Sequence, residues 1–204
     1  MKTTKITFVS LGKKLMMIGA LSALIVSANC ASPSPAPTCT TTNTDFQQLY
    51  AAAVALPNHV DVTTYDTEIH EYTFTLSQNK TICSVGYQSL PATATLPYKI
   101  DIKDNVTNTI IYTGNHVFSS ANTSYVSITP TNVIANNSYT IRRTLLASSA
   151  GGISNVIGRL VRQNGALVTF PKTAGIMTIT GANFHQGGGP LIDVGIPFID
   201  IAYY

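Results

Sequence analysis

The chain has no tryptophan among its 204 residues, and only 10% of them are charged. Globular domains average about 25% charge. So sparse a charge excludes a coiled coil, a charged helical bundle and a nucleic-acid-binding domain. The lack of tryptophan removes the strongest aromatic platform for stacking a sugar ring. Acids are missing altogether from Asn105 to Ile192, which carries Arg142, Arg143, Arg159, Arg162 and Lys172. The Gly-rich run Phe184–Pro190 has no G-x-S-x-G elbow and no phosphate-loop lysine, so it does not point to nucleotide binding. No Cys or His neighbours stand at zinc-ligand spacing, and no EF-hand spacing is present. Global disorder is excluded too, because 45% of residues are apolar.

What is present begins with an export signal. Lys2, Lys5, Lys13 and Lys14 precede an apolar run of about 12 residues, Leu15 to Val26. That is short of the ~20 residues a spanning helix needs. Small residues follow, and the three regions together read as a secretory signal peptide over 1–29. Val26-Ser27-Ala28-Asn29-Cys30 resembles a bacterial lipobox, with Cys30 as the lipidated residue. It departs from the usual pattern at Ser27 and Asn29. Cleavage after Ala28, with Val26 and Ala28 as the small pair, is the competing reading and gives a soluble secreted protein. Residues 30–44 then alternate Pro and Ser before a run of Thr, which makes an extended, semi-rigid tether. A domain held on a membrane lipid needs such a spacer. The expected location is the cell envelope, as an outer-membrane or surface lipoprotein.

Three cysteines leave one thiol over in an exported protein. Lipidation of Cys30 removes it and frees Cys39 and Cys83 to pair. Alternatively, Cys83 is a small buried hydrophobe and Cys39 sits exposed in the tether.

From Asp45 to Leu56 the apolar residues Phe46, Leu49, Tyr50, Ala53 and Val54 recur at helical spacing. Thr44 and Gln47 resemble a capping box. Beyond Pro57 the period becomes two. Strands are predicted at Glu68–Leu76, Thr81–Ser89, Tyr98–Lys103, Ile110–Thr113, Ser124–Thr129, Ser138–Leu145, Ala166–Phe170, Gly175–Thr180 and Ile196–Tyr204. About nine short strands with no long helix between them indicate an all-β fold, an antiparallel jelly-roll-like sandwich over 45–204. Asp104-Asn105 supplies hairpin-turn chemistry. Gly151–Gly165 and Gly181–Gly195 read as Gly-rich loops.

Four passages carry a resemblance to exported bacterial β-sandwich domains of unknown function, with a carbohydrate-binding-module or galactose-binding-like jelly-roll character. They are EYTFTLSQNKTICSVGYQSL, YKIDIKDNVTNTIIYTG, NNSYTIRRTL and IPFIDIAYY. The resemblance implies a sandwich fold, export and, by analogy, binding; it brings no catalytic residues.

The expected function is a membrane-anchored binding module for a glycan or surface polymer, without catalysis. Tyr65, Arg159, Phe184 and His185 are the candidate contacts, the last two on the loop before the closing strand. The alternatives are a structural or adhesive envelope protein and, more remotely, a glycan hydrolase built on a carboxylate pair near Glu68, His70 and Glu71. No cofactor is implied. A structural calcium would need oxygens converging from Asp61, Asp66, Glu68, Asp101, Asp104 and Asp193. No nucleic-acid partner is expected. Removing the four leader lysines from 12 basic residues leaves 8 against 9 acids, a net of −1.

Overall fold

The computed structural model describes residues 37–66, 68–146, 157–186 and 189–204, excluding the side chains of 64–66, 92, 157 and 186. The expected leader, the expected lipid anchor at Cys30 and the expected tether as far as residue 36 lie outside these residues.

One helix opens the described chain, α1 at Asp45–Val54. Its start is the one the sequence predicts: the Gln47 amide donates to the Thr44 hydroxyl at 3.1 Å. The return bond is displaced by one residue, with Gln47 Oε1 accepting from the Asn43 amide at 2.7 Å. Phe46, Leu49, Tyr50 and Ala53 form its buried stripe. Phe46 lies 5.5 Å from Tyr72 and 5.4 Å from Phe198, centroid to centroid.

Thirteen strands follow: β1 His59–Asp66, β2 Ile69–Leu76, β3 Lys80–Tyr87, β4 Tyr98–Asp104, β5 Thr109–His116, β6 Ser124–Val133, β7 Tyr139–Leu145, β8 Ile157–Gln163, β9 Lys172–Ala174, β10 Met177–Gln186, β11 Gly189–Ile192, β12 Ile196–Pro197 and β13 Asp200–Tyr203. The large sheet runs β11-β10-β2-β7-β4-β5, with β9 beside β10. Two three-stranded sheets, β1-β8-β12 and β13-β3-β6, complete the fold. The closing segment joins them, since β12 pairs with β8 and β13 with β3. Every pairing is antiparallel. The order β2-β7-β4-β5 against β13-β3-β6 interlocks two Greek keys, the jelly-roll arrangement of an all-β sandwich.

One apolar core lies between the layers. Tyr72, Phe74, Ile100, Ile102, Ile141, Met177 and Ile179 meet Ile82, Val85, Ile199 and Ile201. The Tyr72 hydroxyl crosses the gap and donates to the Ile199 carbonyl at 2.7 Å. Tyr87 on β3 and Tyr98 on β4 make an edge contact at 5.1 Å. The core also holds a cation. Arg143 is fully buried, with its guanidinium 5.3 Å from the Tyr87 and Tyr98 ring centres. It donates to the Glu68 carbonyl at 3.1 Å. A delocalised, weakly hydrated guanidinium between two ring faces is the form in which a charge is least costly to bury.

The structure corrects several expected elements. Ala166–Phe170 is not a strand. The two expected Gly-rich loops contain β8, the end of β10 and β11. The β4–β5 turn spans Asn105–Asn108, and its left-handed residue is Asn108 at φ 57°, not Asp104 or Asn105. Asp104 instead accepts the Val106 and Thr107 amides at 2.8 and 3.2 Å.

Cys39 and Cys83 are joined in a disulfide across a separation of 44 residues. It ties the lead-in to the middle strand of β13-β3-β6. Chain entropy gives such a loop about 4 kcal/mol. Replacing both cysteines with serine is expected to lower the guanidinium unfolding free energy by about 3–4 kcal/mol. Equal stability of the two proteins would show that the bond contributes nothing to folding.

Candidate functional site

The outward face of the large sheet carries a row of polar side chains. Antiparallel register places Asn183, Glu71, Arg142, Asp101 and Thr113 in one row across β10, β2, β7, β4 and β5. Strand alternation sends these side chains outward while Phe184, Tyr72, Ile141 and Ile102 point into the core.

Glu71 is the centre of the row and is only 5% exposed. Its Oε2 accepts from Arg142 Nε at 2.6 Å. Its Oε1 contacts His185 Nε2 at 3.0 Å and accepts from Asn183 Nδ2 at 3.2 Å. Burial alone would raise the Glu71 carboxyl, but the bonds from Arg142, His185 and Asn183 outweigh it. They hold the acid below the usual carboxylate range.

Asp101 is the second buried acid of the row, 7% exposed. Its Oδ2 faces Lys99 Nζ at 3.0 Å, while Oδ1 is buried without a hydrogen-bond donor. Beside it a shallow depression of about 310 Å³ is lined by Asp101, Lys103, Asn108, Ile110, Thr140 and Arg142. That volume is at the lower end of the range for ligand sites, about 300–1,000 Å³. The lining comes from β4, β7, β5 and the β4–β5 turn. It holds cations, amide and hydroxyl groups, one buried acceptor and one apolar wall, and no aromatic ring.

The candidate contacts read from sequence do not converge. Phe184 is fully buried, because it is an inward residue of β10 and not part of a loop. It packs on His70 at 4.8 Å and presents no face to a ligand. His185, its neighbour, points outward to Glu71. Arg159 stands on β8 in the other layer, where Asp61 takes it through both Nε and Nη2, the latter at 2.5 Å. The Arg159 guanidinium also covers Phe198 at 4.5 Å and Tyr50 at 5.3 Å. Tyr65 belongs to β1, but its side chain lies outside the described residues. Cys30 does too.

The basic stretch is not a basic face. Arg142 pairs with Glu71, Arg159 with Asp61, and Arg143 is in the core. Alternation along one strand puts Lys99, Asp101 and Lys103 on one face, but nothing in the sequence signals Arg142 as their neighbour; only the β7–β4 register brings it beside Asp101.

Among the described residues no group of three or more His, Cys, Asp or Glu could hold a metal ion. The expected calcium oxygens are dispersed: Asp61 faces Arg159, Asp104 caps a turn, and Asp193 accepts the Ala182 amide at 2.9 Å. No helix of the described residues is long and apolar enough to cross a membrane.

The lowered carboxyl of Glu71 stabilises the fold above the ordinary carboxylate pKa, and that contribution is lost as pH falls through the lowered value. Glu71→Gln should therefore cost about 1–2 kcal/mol in urea unfolding at pH 7. The gap should close as the pH is taken below 4. A gap that stays constant with pH would assign the loss to packing instead of charge.

No protein-family model matches the chain, and no curated protein matches it.

Proposed function

We propose that the protein is an exported, membrane-tethered binding module. Its ligand is a hydroxyl-rich surface polymer, most simply a glycan, taken on the outward face of the large sheet without catalysis. The observation that supports this most is the depression at Asp101, Lys103, Asn108, Thr140 and Arg142. A glycan presents many hydroxyls at fixed spacing, which match the amide, hydroxyl and cationic groups of that lining. Recognition is then by hydrogen bonds on a sheet face, in place of stacking on loop aromatics.

A second reading, assembly with another protein, is favoured by one observation. β5 is the terminal strand of the large sheet and carries no Lys, Arg, Asp or Glu. Edge strands usually hold such charges to block pairing with another chain.

Screening the purified protein on an array of neutral and acidic glycans tests the first reading. Retention on at least one class, reduced by Asp101→Ala, is the expected result. Absence of any binding, together with concentration-dependent self-association in sedimentation, would replace it with the second. The tether is tested separately. Metabolic labelling with a fatty acid should mark the wild type and not Cys30→Ala; equal labelling of both would rule out the lipid anchor at Cys30.

A further inference from the structure

The charges of the sheet face are not balanced at the depression. Glu71 is matched by Arg142, and Asp101 by Lys99. Lys103 lines the same depression and has no carboxylate partner among the described residues. Arg142 engages Glu71 through Nε alone, so its two terminal nitrogens have no partner among the described residues. Its side chain is 41% exposed. Two cationic donors therefore border one concavity, next to a buried acceptor that has no donor.

We propose that the depression binds an acidic glycan, with the carboxylate or sulfate of one sugar between Lys103 and the Arg142 terminus. This deepens the glycan reading above and rests on it. A neighbouring hydroxyl of the same sugar bonds the Asn108 amide or the Thr140 hydroxyl that line the same depression. The exposed Ile110 supplies an apolar wall for the C–H face of the ring. The combination favours an anion carried on a sugar ring, whose hydroxyls and C–H face meet the lining that a bare inorganic anion leaves unused. Charge-assisted hydrogen bonds are the stronger kind, and their loss is felt as roughly a tenfold or larger fall in affinity.

Titration calorimetry with the purified protein at low salt tests the assignment. The probes are a polyuronate oligosaccharide with its methyl ester, and a sulfated galactan oligosaccharide with its desulfated form. At least one acidic member should bind about tenfold or more tightly than its neutralised twin, and which pair shows the difference separates carboxylate from sulfate. Lys103→Gln should abolish most of that preference, while Lys80→Gln, the same charge removed from β3, should leave it intact. Raising salt to 0.5 M should weaken acidic binding selectively. Equal affinity for acidic and neutralised twins, or unchanged preference in Lys103→Gln, would overturn the acidic assignment while leaving glycan binding in place. Silence toward every probe, here and on the array, would overturn both.

Discussion

A single buried carboxylate ties the beginning of the domain to its end. Asp200 is fully buried at the start of β13, and its charge must be met by donors. The Thr44 hydroxyl donates at 2.8 Å, Gln47 Nε2 at 2.9 Å, and the Tyr125 hydroxyl completes the set. Burial raises the Asp200 carboxyl, and the three donors only partly offset it. Those donors come from the helix N-cap, the first helical turn and β6. Helix position, lead-in path and the β13-β3-β6 sheet are thus fixed by one hydrogen-bonded charge. Gly86 makes this geometry accessible. It stands between Asp200 and Tyr125 in the cross-strand register, and a Cβ there would clash with the Tyr125 ring. A glycine inside a strand weakens the strand, but here it lets a tyrosine cross its neighbour to reach an acid.

Other contacts reinforce the same closure. Asp45 accepts the Tyr203 hydroxyl at 2.6 Å and the Ile176 amide at 2.8 Å, so the helix start also holds β13 and the turn before β10. The disulfide adds a covalent link from the lead-in to β3. The lead-in is therefore part of the folded unit from residue 37 onward, and not only a spacer.

The sequence was most legible where one periodicity decided the outcome. Thr44 and Gln47 announced the helix, and His70, Tyr72, Phe74 and Leu76 announced the inward face of β2. The strands missed are β1, β8, β9 and β11; β1, β8 and β11 are interrupted by Asp, Arg or Gly–Pro, and β9 is only three residues long. Their pairing partners, not their own alternation, make them strands. Phe184 misled because the Gly run after His185 looked like the whole loop, whereas Ala182 and Phe184 continue the inward alternation of β10. The adjacent arginines were ambiguous for a simple reason. Alternation requires that Arg142 and Arg143 face opposite ways, but sequence does not say which of them has aromatic neighbours to receive it. The acid-poor half of the chain does not form a surface of its own. The antiparallel pairing of β1 with β8 and β2 with β7 folds it onto the acid-rich half.

That interleaving also shapes the charge pattern of the sheet face. Cross-strand pairing matches Glu71 with Arg142 and Asp61 with Arg159, and Lys99 meets Asp101 along β4. Lys103, near the β4–β5 turn, has no carboxylate partner among the described residues. A register shift between Ile102 and Lys103 displaces Lys103 from the regular ladder just there. Bulges re-aim side chains and recur beside binding sites. Lys103 and the depression it lines therefore lie beside the same irregularity of the sheet.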